Sequence, residues 1–233
     1  MQVIRLTSRT HCYAAYCYLK LSNYLTAQPK YTFSFTAGSA LISETLVIAS
    51  EYNRLKDWTT VGNYLQDNNL LNKIKHGTFR RQFNEIRKRL SLLTQEQLEL
   101  LTDGSLDEAK CMIWLSLVKT YPYFKDFVIE VIRTKYILFD RLLTETDYIR
   151  FFNEKSVIHS ELHDLSHLMA NKVRQVVFRM ADEIGLISQI KNGTILKPYL
   201  SNQTIQVIVN DQPSWLSTFL FYDDEINVLI QKQ

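Results

Sequence analysis

Six glycines and four prolines are few chain breakers for 233 residues, and that scarcity restricts the fold more than any motif does. A β-sandwich or barrel turns every 8–12 residues or so and draws on Gly, Pro and Asn to do it. Long helices joined by short polar connectors need far fewer. Apolar residues make up 46% of the chain and charged residues 22%, enough to bury a core and solvate the outside. The longest apolar stretches, such as residues 111–118, fall well short of the roughly 18 residues of a membrane span. A membrane partner is therefore not expected. The three cysteines, Cys12, Cys17 and Cys111, are odd in number and lack a Cys-x-x-Cys spacing. That argues against a disulfide framework or zinc ribbon and fits reduced thiols in a cytoplasm. Arg5, Arg9 and His11 precede residues 12–18 without a clean apolar stretch or small-residue cleavage site, so the N-terminus is not read as a signal peptide.

Four units are expected: an N-terminal extension (1–30), a helical bundle domain (31–143), a winged-helix-like domain (144–210) and a C-terminal tail (211–233). In the extension, Tyr13, Tyr16, Leu19 and Leu21 suggest one short helix, and residues 22–30 a connector. In the bundle, Leu41, Leu46, Ile48, Ala49 and Tyr52 recur at helical spacing, with Ser39 or Ser43 as the cap. Further helices are expected over 58–66, from about Thr78, from Thr94 to Leu101, from Asp107 to the Tyr121-Pro122 stop, and over 123–143.

After Thr144 the pattern changes. Helices are expected over 147–152, 157–165 and 171–184, the last ended by Gly185. Residues 186–191 and 194–200 read as strands around an Asn192-Gly193 turn, because a tight hairpin favours residues tolerant of positive φ. Helix, turn, helix and a two-stranded wing is the order of a winged helix–turn–helix. The expected fold class is thus mainly α, a multi-helix bundle followed by a winged-helix-like part with a small β-hairpin.

The charge is concentrated. Residues 72–91 hold Lys73, Lys75, Arg80, Arg81, Arg87, Lys88 and Arg89 against the single acid Glu85. That local balance of +6 sits in a chain of net charge +3, which leaves −3 for the remainder. At helical spacing Phe79, Phe83, Ile86, Leu90 and Leu93 fall on one inward stripe. Arg80 and Arg87 form one outward row, Arg81 and Lys88 a second, and Asn84 lies between them. Such rows suit a line of phosphates; the bland alternative is a solvated face paired with distant acids. A second candidate surface is the outward side of residues 171–184, where Asn171, Lys172, Gln175 and Arg179 can meet phosphates and base edges. Lys191 in the wing would add a backbone contact. The alternative there is a winged helix that docks protein, since Asp182 and Glu183 dilute the charge.

His159, His163 and His167 recur every four residues, a spacing that can hold a metal. A helix break near Ser166 and their distance from the apolar stripe favour a structural or surface role, so no metal and no cofactor is expected. The chain shows no Gly-rich phosphate loop, Gly-x-Ser-x-Gly elbow or His-Glu-x-x-His. It is accordingly read as a non-enzyme.

The blocks YTFSFTAGSALISETLVIASEYNRLKDW (31–58), FRRQFNEIRKRLSLLT (79–94), AKCMIWLSLVKTYPYFKDFVIEVIR (109–133) and VRQVVFRMADEIGLI (173–187) together resemble the BrxA family. Members of this family are small components of BREX phage-defence systems of bacteria and archaea. The likeness spans residues 31–200 and rests on the order of several loose blocks, none of them catalytic. It implies a helical body similar to the NusB fold, binding of double-stranded DNA without catalysis, and work alongside a BREX methyltransferase and ATPase. It carries over no binding residues. Two other classes stay open: a protein-interaction scaffold of the defence complex, and an RNA-binding protein by analogy with NusB.

Overall fold

The computed structural model describes residues 29–71, 76–190 and 192–231. Lys73, Lys75, Lys191 and the helix expected within residues 1–28 lie outside them. Among the described residues the chain is mainly helical, with one small two-stranded antiparallel sheet. No helix there is long and apolar enough to cross a membrane.

A strap of residues 29–40, with a 3-10 turn over Ser34–Ala37, leads into α1 (Ile42–Leu55). Neither Ser39 nor Ser43 caps that helix. Its N-cap is Leu41 at φ 55° with no side-chain cap, because the Ser39 hydroxyl instead donates to Glu183 at 2.7 Å. α2 (Trp58–Asp67) is capped by Asp57, which accepts from the Thr60 amide at 2.8 Å. α3 (His76–Leu90) follows, then α4 (Gln95–Asp103) and α5 (Leu106–Thr120). Thr94 with Gln97 and Ser105 with Glu108 form reciprocal capping boxes that set where these last two begin. α5 is apolar on every side: Met112, Ile113, Leu115 and Leu117 are all fully buried, so it runs through the middle of the core.

α6 starts at Pro122, whose fixed φ suits a first turn. It runs through Pro122–Phe127, a π-helical stretch Val128–Arg133 and a last turn Thr134–Ile137. The helix expected to reach residue 143 stops there. Asp140 accepts from the Leu142 amide at 3.2 Å, Phe139 sits at φ 60°, and the chain enters β1 (Leu142–Leu143). α7 (Glu145–Ile158) is capped by a Thr144–Asp147 box and extends well beyond the expected Phe152. The helix expected over 157–165 is accordingly cut short: the chain breaks at His159 and resumes as the single turn α8 (Ser160–His163). Ser166 then caps α9 (His167–Glu183), and Gly185 at φ 81° ends it.

The expected hairpin is present in reduced form. Ile187 bridges Ile195, and the Leu196 amide donates to Leu186 at 2.8 Å. β2 (Gly193–Thr194) pairs with β1 in the register Leu142↔Thr194 and Leu143↔Gly193. Successive amides of residues 195 and 196 donate to Arg141 and Leu186 in turn, so this segment lies between the other two. The turn is wider than two residues. Asn192 has φ 51°, but Gly193 is extended and belongs to β2. Glycine is needed there because a Cβ would lie 2.2 Å from the Gln189 carbonyl oxygen.

The C-terminal segment packs back on the bundle as α10 (Asn202–Asp211), a 3-10 stretch (Pro213–Phe219) and α11 (Asp223–Gln231). Gln97 donates to the Val207 carbonyl at 3.0 Å, Trp114 to Thr218 at 3.2 Å and Arg133 to Phe221 at 2.8 Å. The buried apolar residues form one contiguous cluster, from Tyr31 to Ile226.

One polar network lies inside that core. Arg89 is 1% exposed; its Nε donates to the Tyr121 hydroxyl at 2.8 Å and its Nη1 to the Ser39 and Ala40 carbonyls at 3.0 and 3.1 Å. Glu85 accepts from Tyr121 and, at 3.0 Å, from Ser34. Burial pushes the Tyr121 phenol well above its usual range, so its proton stays available to Glu85. Arg89→Ala would leave the Tyr121 hydroxyl and two strap carbonyls without their buried charged donor, and urea unfolding should show a loss of about 3–5 kcal/mol. Acid should act separately through the caps. Hydrogen bonds from Thr60 hold Asp57, and hydrogen bonds from Ser201 and Ser105 hold Glu108, below the usual carboxylate range. A depressed folded pKa contributes stability above the unfolded value and loses it as pH falls through the folded one. The thermal midpoint should thus drop below about pH 4, and less so in an Asp57→Asn, Glu108→Gln variant.

Candidate nucleic-acid interface

α3 sorts its residues as its spacing requires. Phe79, Phe83, Ile86 and Leu90 are buried, with Leu93 just beyond the helix. Arg80, Arg81, Asn84, Arg87 and Lys88 are exposed. Arg89, one of the seven basic residues of this segment, is withdrawn into the core together with the lone acid Glu85. The outward face of α3 therefore carries four cations and no carboxylate. Among the described residues, the side chains of Arg80, Arg81 and Asn84 have no hydrogen-bond or ion-pair partner. Arg87 lies 6.0 Å above the Trp58 ring and Lys88 5.3 Å above the Tyr121 ring. Lys88 also reaches the Ser34 hydroxyl of the strap at 3.5 Å. The two rows thus have different neighbours: the Arg80–Arg87 row borders α2, and the Arg81–Lys88 row borders the strap.

α9 buries Val173, Val176, Val177 and Met180 in the core, and its Phe178 lies 6.0 Å from Phe127 of α6. Lys172, Gln175 and Arg179 are exposed and without side-chain partners among the described residues. Asn171 is half-buried, its amide 3.2 Å from His167 Nδ1. Because the helix begins at His167, the 82%-exposed Leu168 joins the same outward row, a residue the sequence reading placed in a break. Arg174 is a basic residue that reading also passed over. It is paired with Glu145 across a groove lined by Gln175, Phe178, Ile190 and Asn192. Glu183, at the end of the outward row, turns both carboxylate oxygens to the strap, accepting from Ser39 Oγ at 2.7 Å and the Ala40 amide at 2.8 Å.

The three histidines do not share a flank. His159 is buried at the break between α7 and α8, stacked 3.8 Å from Tyr31 and 3.1 Å from Glu161. His163 is exposed on α8, and His167 opens α9. No group of three His, Cys, Asp or Glu side chains suited to a metal is present among the described residues. Cys111 is buried, and burial pushes its thiol up to about 12, which makes it a poor nucleophile. A cavity of about 670 Å³ between α4, α5 and α10 is lined by Glu96, Glu99, Asp103 and Glu108, a charge that repels a polyanion.

A family model described as BrxA matches residues 29–212. Among similar proteins, a BREX protein BrxA of Bacillus cereus (strain H3081.97) is 26% identical over 121 residues, 52% of this chain and 60% of that protein, so less than two thirds of its length is spanned. A BREX protein BrxA of Paramagnetospirillum magneticum (strain ATCC 700264 / AMB-1) is 22% identical over 185 residues, 78% of this chain and 92% of the relative. A third, from Escherichia coli O9:H4 (strain HS), is 24% identical over 171 residues, 73% of this chain and 80% of the relative. Among solved structures, the crystal structure of an uncharacterized protein from Magnetospirillum magneticum aligns with a TM-score of 0.68 at 19% identity. That alignment covers 82% of this chain and 98% of the other. At that identity the likeness speaks for the fold alone.

The unpaired cations of α3 contribute little to folding. Arg80→Ala with Arg81→Ala should change the unfolding free energy by no more than about 0.5 kcal/mol in urea titrations.

Proposed function

The chain belongs to the BrxA family, and from that premise we propose that it is a non-catalytic component of a BREX defence system that binds double-stranded DNA. The observation that carries the reading is the outward face of α3, where Arg80, Arg81, Arg87 and Lys88 stand exposed with Asn84 among them and no acid on that face of the helix; the nearby Asp57 at the start of α2 acts on Arg87 alone. Guanidinium and ammonium groups at helical spacing match a row of phosphates, and their release of counterions supplies affinity without sequence selection. The side chains of the two rows are point charges and amides, which suits holding a polymer rather than transferring a group to it.

The second part of the proposal is a winged helix. The order α6, β1, α7, α9 and then two extended segments, with residues 193–196 between β1 and residues 186–188, supports it. In that reading α9 is the helix offered to the major groove, with Lys172, Gln175 and Arg179 facing outward. A NusB-like body in the preceding helices rests on the family resemblance. So does work beside a methyltransferase and an ATPase of the system, and a DNA partner would make the cytoplasm its place of action.

Fluorescence anisotropy of a labelled duplex across a salt series tests this. The expected result is binding whose log K falls with log salt at a slope of about −3.6 or steeper, from about four phosphate contacts on α3 alone. Charge reversal at Arg80, Arg81, Arg87 and Lys88 should remove most of that slope while the circular dichroism stays helical. Absence of binding at about 50 mM salt, or a flat salt response, sinks the proposal. Displacement of the duplex by an equal amount of RNA would turn it toward RNA.

A further inference from the structure

The two basic rows are joined, and the joint can be followed atom by atom. On α9, residues 168, 172, 175, 179 and 183 lie on one side of the helix by their spacing, so the outward row of Lys172, Gln175 and Arg179 runs into Glu183. From Arg179 to Glu183 is about 6 Å along the axis at 1.5 Å per residue. Glu183 is bonded to Ser39 and Ala40. The carbonyls of Ser39 and Ala40 are bonded to Arg89 of α3. Next to Arg89 in the chain stands Lys88, which reaches Ser34 in the middle of the same strap. The strap thus lies between the end of the α9 row and the Arg81–Lys88 row of α3, and touches both.

The strap itself carries one sign of charge. Residues 29–43 contain Lys30 and no acid, the first acid of the chain being Glu44. Two carboxylates at the joint, Glu85 and Glu183, are taken up by hydroxyl and amide donors of the network, while the half-buried Asp182 remains at the end of the α9 row. A polyanion crossing from one row to the other meets no exposed carboxylate from the strap itself.

We propose that the strap joins α3 and α9 into one continuous surface for a single DNA duplex, with the Arg81–Lys88 row and the Lys172–Arg179 row engaging the same molecule in one binding event. This rests on the duplex-binding reading above and adds to it the partner geometry. The strap is the positioning element, and the bonds of its Ser39 and Ala40 to Arg89 on one side and Glu183 on the other hold the two rows in fixed relation. Rigid presentation of two charged rows removes the ordering entropy that two hinged modules would lose on binding.

The test compares the full chain with Arg81→Glu/Lys88→Glu, Lys172→Glu/Arg179→Glu and the four changes together, on one labelled duplex of about 25 base pairs. Affinities are taken across a salt series, stoichiometry at saturation and helicity by circular dichroism. One surface predicts a single duplex per chain. Each pair of changes should then shallow the salt slope of that event by about 1.8, and the four together by about 3.6. If one pair leaves the slope unchanged, or if the chain saturates with two duplexes, the rows are separate and the continuous surface is overturned while duplex binding stands. If the unaltered chain binds no duplex at low salt, the underlying duplex-binding reading fails instead.

Discussion

Arg89 holds this structure together. A guanidinium almost wholly removed from water carries a desolvation penalty that only well-placed acceptors offset. Its Nε finds one in the Tyr121 hydroxyl at the entry to α6 and its Nη1 two in successive carbonyls of the strap, while Nη2 has no partner among the described residues. Tyr121 passes the interaction on to Glu85, and the strap passes it to Glu183 at the end of α9. Elements far apart in sequence are thereby fixed by one set of mutually dependent bonds. Such a network is directional in a way that apolar packing is not: it accepts one relative placement of strap, α3 and α9 and disfavours the rest.

A second anchor works at the other end of the strap. The Tyr31 hydroxyl donates to Asp126 on α6 at 2.6 Å and its amide to Glu161 on α8 at 2.6 Å, while its ring lies between His159 and Tyr123. The strap is therefore tied to the helices on both sides of β1. The C-terminal helices close the opposite side, with Lys119 of α5 bound to Asp211 of α10 at 2.7 Å. The molecule's two charge regimes follow from this arrangement. The cations of α3 and α9 are exposed, and the carboxylates of α4 and α5 line the cavity beside α10.

Much of the helical plan was legible because its signals are local. The Thr94 and Thr144 caps, the Tyr121-Pro122 stop and Gly185 act through bonds a few residues long. What misled was signal whose outcome depends on a distant partner. Ser39 looks like a cap, but Glu183 competes for its hydroxyl. Leu142 and Leu143 continue a helical apolar pattern, yet they pair with residues 193 and 194. A chain with an unbroken apolar period gives no sign of the turn at Phe139, which the Asp140 side chain and the pairing of β1 fix instead.

For the candidate site the division is similar. Spacing alone determined which side of α3 would be apolar and which would carry Arg80, Arg81, Asn84, Arg87 and Lys88, because a 3.6-residue period places every side chain by arithmetic. It likewise determined the outward set of α9. It was silent on the residues at the edge of the stripe: Glu85 and Arg89 go inward only because Tyr121, Ser34 and the strap carbonyls arrive there from elsewhere in the chain. Periodicity orders side chains around one axis and holds no information about a second. The sequence by itself determined two basic helix faces in a chain with few breakers. The tertiary structure decided that a single acid-free strap lies between them, since contacts between residues far apart in the chain, not local spacing, fix one helix relative to another.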